Sequence, residues 1–352
     1  MAQLSVLPAG VLLSKRVQEM VLEGQEPPAP YVCRTDDRLQ EVEAPFSMVP
    51  IIDLSVCASS TPGEEQKKEL HKLNSALCSW GCFQAVGHGI SSTFLDEIRK
   101  VSKEYFKQPM EEKKKQAKGV EDFEGYGADP VPEEGQFLDW SDRLYLEVYP
   151  VDRRNPKLWP EKPESFRGIL EEYSVKMKRV TELTSKAMAK SLNIEENCFL
   201  TLFGEKAQYQ ARFNYYSRCQ RPDLVLGLKP HSDGSGYTII MMDEEGLQIL
   251  KDEKWFTVPK ISEALLVLMG DQMEIMSNGI FKSAVHRVVA SSERERISMA
   301  VFYTPEVNKE IGPEDSLTNE ETSKLFKKVK NYADIHWGFY QKGERALHVA
   351  KV

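Results

Sequence analysis

The run Leu228-Lys229-Pro230-His231-Ser232-Asp233-Gly234-Ser235-Gly236 stands in a part of the chain where apolar residues recur at every second position. If it is a β-strand, the two-residue side-chain period puts His231 and Asp233 on one face. An imidazole beside a carboxylate provides two of the three ligands of the facial triad that holds non-haem Fe(II) with coordination positions left open. A lone His-x-Asp also occurs by chance, so its meaning depends on what surrounds it.

Outward from this run the two-residue period continues. Segments 211–216, 225–233, 237–243, 247–251, 255–258, 265–269, 273–276, 285–290 and 297–304 all read as strands. Many short strands parted by Gly and Asp turns indicate a closed or double-sheet β unit, a jelly roll. Upstream, residues 49–54 read as a short strand, followed by a helix over 63–80 with Leu70, Leu73, Ala76 and Leu77 on its stripe and Gly81 at its C-cap. Residues 82–86 form a buried strand closed by Gly87-His88-Gly89, where His88 is expected to bond to backbone. A helix over 92–106 comes next. The longest helix carries Phe166, Ile169, Leu170, Tyr173, Met177, Val180, Leu183 and Ala187 at mostly three- and four-residue intervals, a single buried face.

Residues 118–160 are rich in Gly, Pro and aromatics, including Tyr126, Phe137, Trp140, Tyr145, Tyr149 and Trp159. This segment is too apolar for disorder and too irregular for a helix; it either covers a pocket or packs structurally. The tail over 322–339, with Leu325, Val329, Tyr332, Ile335 and Phe339, is helical again. The expected fold is mainly β with flanking helices. It divides into an N-terminal arm and helix (1–48), a mixed helical region (49–205), the β core (206–306) and a helical tail (307–352).

Composition narrows the class. With 352 residues the chain can bury a sizeable core, and 41% apolar with 28% charged residues is ordinary for a soluble globular protein. A net charge of −8 argues against a nucleic-acid partner. The basic run Lys113-Lys114-Lys115 directly follows Glu111-Glu112 and reads as a solvated helix face. Six cysteines (Cys33, Cys57, Cys78, Cys82, Cys198, Cys219) show no C-x-x-C spacing. Cys78 and Cys82, one helical turn apart, are expected to be buried small apolar residues, and the lack of a disulfide framework favours the cytoplasm. Residues 4–13 are mildly apolar but lack a positive start and run on into an amphipathic helix over 14–21. Residues 24–50, punctuated by Pro27, Pro28, Pro30, Pro45 and Pro50, read as an extended arm. No run approaches the length of a membrane span. A monomer that binds a small molecule is the expectation.

A facial triad needs a second histidine. Of the other five, His71 falls on a helix, His88 in a turn, and His336 and His348 in the tail. His286 lies in Ser283-Ala284-Val285-His286-Arg287-Val288-Val289, near the far end of the β unit. A double sheet brings distant strands face to face, so a third ligand could come from here; a satisfied core histidine is the alternative. Ten residues on, Arg296-Ile297-Ser298-Met299-Ala300-Val301-Phe302 puts Arg296, Ser298, Ala300 and Phe302 on one strand face. A guanidinium and a hydroxyl entering a mostly apolar interior need a partner. A carboxylate fits the fork best, whether a ligand's or that of an internal Asp or Glu.

The pattern His231-x-Asp233, His286, Arg296-x-Ser298 resembles the plant 2-oxoglutarate- and Fe(II)-dependent dioxygenases. So do Asn214-Tyr215-Tyr216, Leu226-Gly227-Leu228-Lys229-Pro230-His231-Ser232-Asp233 and Gly246-Leu247-Gln248-Ile249. Gly270-Asp271 with Ile275-Met276-Ser277-Asn278-Gly279, and residues 49–54 with Trp80-Gly81-Cys82-Phe83-Gln84, extend the likeness over nearly the whole chain from about residue 12. Within the family the chain is most similar to the group of senescence-related proteins, alkaloid O-demethylases and norcoclaurine-synthase-like proteins. The resemblance implies a double-stranded β-helix core with Fe(II) on His231, Asp233 and His286. It implies 2-oxoglutarate with its distal carboxylate on Arg296 and Ser298, and Tyr216 and Asn214 close by. Phe302 would line the substrate pocket, joined by Tyr126 and Phe137 from the aromatic segment.

The implied cofactors are Fe(II), 2-oxoglutarate and O2, with ascorbate as reductant. The implied activity is hydroxylation or O-demethylation of a small, largely apolar, ring-containing metabolite of alkaloid or phenylpropanoid type, releasing succinate and CO2. Ser217-Arg218-Cys219 replaces the family's frequent Pro-Pro-Cys, and Gly87 a common Asn; neither touches a ligand. Three alternatives stay open: an iron-dependent oxidase of the same fold without 2-oxoglutarate, a metal-free jelly-roll binding protein, and an O2-independent condensation.

Overall fold

A computed structural model describes residues 16–33, 44–61, 63–119, 122–129, 136–318 and 323–352. The first helix, α1 (Val17–Leu22), buries Val17 and Met20. Strand β1 (Ile51–Asp53) precedes helix α2 (Glu64–Ser79), strand β2 (Cys82–Val86) and helix α3 (Ser92–Phe106). Gly81, at φ +66°, ends α2, and a Cβ there would meet the Lys282 carbonyl oxygen at 2.2 Å. Only glycine makes that turn. Strands β3 (Gly125–Gly127) and β4 (Asp142–Tyr149) lead to the longest helix, α4 (Phe166–Ser191).

The β core then runs through β5 (Gln208–Tyr216), β6 (Leu226–His231), β7 (Tyr237–Met242), β8 (Leu247–Lys251), β9 (Lys254–Thr257) and β10 (Leu265–Met269). After the short helix α5 (Asp271–Met276) come β11 (His286–Val289) and β12 (Arg296–Thr304), and helix α6 (Tyr332–Tyr340) lies near the end of the chain.

Two sheets result. The larger has the order β1-β2-β10-β7-β12-β5-β4-β3, the smaller β6-β11-β8-β9. Among the strands of the described residues only β1 and β2 pair in parallel; the remaining ladders are antiparallel. This is the double-sheet arrangement of a jelly roll. The side-chain alternation of β12 divides the interior. Ile297, Met299, Val301 and Tyr303 join the core shared with Phe166, Leu170, Tyr173 and Met177 of α4. Ala300, with Phe302 packed beside it, faces Leu228, Leu247, Ile249 and Val288 of the smaller sheet. Burying each large apolar side chain contributes about 1.5–3 kcal/mol, so the strand is fixed from both faces and its register is well specified.

Several elements differ from the sequence reading. Segment 273–276 is the end of α5, not a strand; a short apolar run has no decisive period. Here Asp271 and Glu274 hold the turn by accepting from the Ser283 hydroxyl and the Ser283 N–H. The stretch 142–149, read as irregular, is the full strand β4, with Leu144, Leu146 and Val148 buried on one face. The helical tail is confined to α6. Before it, Phe326 and Val329 form isolated bridges to Lys351 and Ile311, and Asn331 at φ 51° sets the start of the helix. Strand β6 stops at His231, where its ladder with β11 ends, so Asp233 lies just beyond it.

Cys78 and Cys82 are separated by the end of α2 and do not share a helix. Lys113 is buried, donating to Gln18 Oε1 and the Phe106 carbonyl, whereas Lys114 and Lys115 are exposed. His88 bonds to backbone at both nitrogens, to the Glu263 carbonyl and the Ile90 N–H. The apolar stretch 4–13 and residues 34–43 of the arm lie outside the described residues.

Candidate active site

His231 at the end of β6 and His286 at the start of β11 face one another across a ladder, in direct register. Their rings lie 4.3 Å apart between centroids. Each Nδ1 donates to a backbone carbonyl two residues back, Lys229 at 2.8 Å and Ala284 at 3.1 Å. That fixes the tautomer and leaves the Nε2 lone pairs for another partner. Asp233 supplies the third group. Its Oδ1 is 3.5 Å from His231 Nε2 and 3.8 Å from His286 Nε2, and its Oδ2 accepts from the Thr238 hydroxyl.

Burial, with His231 beside it, pushes the His286 imidazole down to about 4, so at neutral pH it is an uncharged donor. Burial opposes the charge of Asp233, yet the imidazoles and Thr238 outweigh it and hold the carboxyl well below its usual range. Among the described residues this trio forms a group whose ligand atoms, all within 4.8 Å of one another, could hold a metal ion. Two neutral imidazoles and a carboxylate are a donor set suited to Fe(II).

The larger sheet supplies the opposite wall. Arg296 pairs in register with Tyr216, and Ser298 with Asn214 on one side and Met242 on the other. Arg296 lies over the Tyr216 ring, 5.0 Å from its centroid, and its Nε donates to the Glu244 carbonyl. Its Nη1 is buried with no hydrogen-bond partner. A buried guanidinium N–H without an acceptor is costly and marks the place of a missing anion. Ser298 Oγ accepts from Asn214 Nδ2 at 3.3 Å, leaving its own proton to donate. Among the described residues no carboxylate takes the Arg296 fork, so a dicarboxylate cosubstrate fits there.

The two walls face one narrow cavity of about 40 Å³. It is lined by His231, Asp233 and His286, by Asn214, Tyr216 and Ser298, and by Phe302, which stacks on Tyr145. Tyr126 is not in it. Its ring packs on Tyr105 and Phe106, and its hydroxyl points at Met110 Sδ. Phe137 sits in a separate apolar cluster with Cys33 and Leu226. Both pack among other apolar side chains and do not line this cavity.

Four contributors were missed in the sequence. Thr238 shares a strand face with Ile240 and Met242, so its place was readable from period two. Arg212 shares one with Asn214 and Tyr216, and it also lines the cavity. From α6, His336 donates to the Ser232 carbonyl at 2.7 Å and Tyr340 packs edge-on against His231. Their spacing, four residues from Tyr332 to His336 and four more to Tyr340, was visible, but not what that face would meet.

Residues 207–305 match the profile of the 2OG-Fe(II) oxygenase superfamily. Residues 49–162 match that of the non-haem dioxygenase in morphine synthesis N-terminal region. Protein SRG1 of Arabidopsis thaliana is 41% identical over 333 residues, 92% of each chain. The chain belongs to the 2-oxoglutarate- and Fe(II)-dependent oxygenases. Codeine O-demethylase of Papaver somniferum is likewise 41% identical, over 91% of this oxygenase and 90% of that enzyme. The crystal structure of JOX2 in complex with 2OG, Fe and JA superposes with a TM-score of 0.87 at 30% identity, covering 96% of this oxygenase and 98% of that chain.

The oxygenase therefore uses Fe(II) and 2-oxoglutarate, and the jelly-roll expectation holds. A metal-free binding protein and an oxidase without 2-oxoglutarate are both set aside.

Proposed function

We propose that this oxygenase hydroxylates or O-demethylates a small, largely apolar, ring-containing specialised metabolite of alkaloid or phenylpropanoid type. His231, Asp233 and His286 hold the iron; Arg296 and Ser298 receive the distal carboxylate of 2-oxoglutarate, with Tyr216 beneath the guanidinium and Asn214 setting the Ser298 hydroxyl. The single observation that carries the assignment of the anchor is the buried, partnerless Nη1 of Arg296, two residues along β12 from Ser298, which lines the cavity that holds the trio. Iron, when bound, supplies the oxidative decarboxylation of 2-oxoglutarate to succinate and CO2 and the oxidation of a substrate C–H bond. The protein's own residues orient and exclude water. Phe302 and Tyr145 form a flat aromatic wall against which a ring can lie. Where the attacked carbon is an O-methyl, the hydroxylated product collapses to formaldehyde and a free hydroxyl, as suits a chain 41% identical to codeine O-demethylase. The free thiols of Cys57, Cys78, Cys82, Cys198 and Cys219 support a reducing, cytoplasmic setting. We take the enzyme to be a monomer, which light scattering on a sizing column checks.

The test is a panel of methoxylated alkaloids and phenylpropanoids under O2 with Fe(II), ascorbate and 2-oxoglutarate, followed by mass spectrometry. Succinate should appear in step with a product changed by +16 or −14 mass units. Arg296→Gln should raise the KM for 2-oxoglutarate about 100-fold, the scale expected when one partner of a buried charge pair is lost. His231→Ala should abolish both metal uptake and turnover. Turnover indifferent to omission of 2-oxoglutarate would overturn the reading.

A further inference from the structure

An arginine projecting into a ring-binding cavity is the natural receptor for an acid, since its fork matches a carboxylate with two parallel hydrogen bonds. Arg212 is such a residue. It lines the cavity beside Asn214, its Cα opposite Ala300 of β12 on one side and Tyr145 of β4 on the other.

Each of its three nitrogens, however, already has a protein partner. Nε donates to Asn214 Oδ1 at 2.6 Å, and the two terminal nitrogens reach Asp129 Oδ1 at 3.2 Å and Oδ2 at 3.0 Å. Asp129 itself is fixed from behind: Arg143, fully buried, donates from Nε to Oδ1 at 2.6 Å and from Nη1 to the carbonyls of Phe123 and Gly125. Burial alone would raise the Asp129 carboxyl, but the two guanidiniums hold it far below the usual carboxylate range. The next cation along, Lys229, is matched in the same way by Asp139 at 3.8 Å and lies over the Tyr340 ring. The position an acidic substrate would occupy on Arg212 is therefore filled by the protein's own carboxylate.

We propose that Asp129 is a specificity-determining residue: by occupying the Arg212 fork it selects substrates that are uncharged at the end facing Arg212 and rejects carboxylic acids. This rests on the oxygenase reading above and narrows its substrate class. A substrate carboxylate entering this end would meet Asp129, a like charge that already holds both terminal nitrogens of Arg212, and would lose its hydration with little to offset it.

The experiment is equilibrium dialysis of the Fe(II)- and 2-oxoglutarate-loaded enzyme under nitrogen, with 4-methoxycinnamic acid and its methyl ester as probes. The two share a skeleton and differ in one charge. The wild type should favour the ester at least tenfold. Asp129→Asn, nearly isosteric, should move the acid-to-ester ratio at least tenfold toward the acid by freeing Arg212. Arg212→Gln leaves Asp129 paired with Arg143 and should cost no acid binding; it decides the matter if Asp129→Asn does not fold.

The proposal is overturned if the wild type binds the acid as well as the ester. It is equally overturned if folded Asp129→Asn gains nothing for the acid, including the case where neither probe binds, or if Arg212→Gln loses acid binding. Because these arms read binding ratios without turnover, their failure is distinct from a failure to make succinate, which would strike the oxygenase reading itself.

Discussion

Thr238 is a small residue with a large expected effect. Its hydroxyl occupies the Asp233 oxygen that the imidazoles do not face, and so aims the other oxygen at the metal position. Thr238→Val keeps the shape and removes the donor. Metal affinity should fall about 10–100-fold, the usual loss when a ligand's supporting partner is removed, as read by competition with a chelating indicator; an unchanged affinity would refute the orienting role. Asp142 is a second such residue. It is fully buried, with Oδ2 accepting from the Gln18 N–H and Oδ1 partnerless. Burial pushes its carboxyl up to about 6 from 3.8, against the opposing pull of that hydrogen bond, Arg16 and Lys113. A raised carboxyl binds its proton more tightly when folded. Its stabilisation is thus complete below pH 4 and disappears as pH climbs through 6, about 3 kcal/mol in all for a two-unit shift. Asp142→Asn should remove that slope, so the gap between the urea midpoints of variant and wild type should change in the variant's favour from pH 4 to pH 7.

The last helix, α6, is tied to the metal-bearing loop by the His336 bond to Ser232 and by the contact of Tyr340 with His231. Tyr332 also donates to the buried Asp271. In His336→Ala, amide exchange over 332–340 should quicken while the β12 amides stay protected, because local opening and global unfolding are separate events. Equal protection of both would show the bond to be incidental. This helix also shows where sequence reading stops. Its existence was legible from the spacing of Tyr332, Ile335 and Phe339. Its true start was not, since Phe326 and Val329 carry a helical interval yet pair as bridges. In β4 the alternation of Leu144, Leu146 and Val148 was plain, but surrounding Gly, Pro and Trp masked it. The trio was legible because two ligands are two residues apart and His286 stood in a strand. Arg212 and Asp129 were not, because 83 residues separate them and no local period encodes a long-range ion pair.

His231 and His286 come from the smaller sheet, Arg296 and Ser298 from the larger. In the proposed site, metal and cosubstrate together would therefore join the two sheets across the cavity. Anything that binds the folded state stabilises it by mass action, about 2.7 kcal/mol at a hundredfold excess over Kd. Mn(II) with 2-oxoglutarate should raise the Tm by several degrees, more than either alone, and His231→Ala should abolish the metal's share; equal Tm with and without loading would argue that the sheets are not bridged. Strand β12 adds a geometric consequence. Arg296, Ser298, Ala300 and Phe302 succeed one another along a single pleated edge, locked by β5 on one side and β7 on the other. Each step is about 6.7 Å, so the strand works as a ruler with the cosubstrate clamped at its zero mark. New substrates can evolve by exchanging the graduations at 300 and 302, while the zero mark keeps its hold on the cosubstrate.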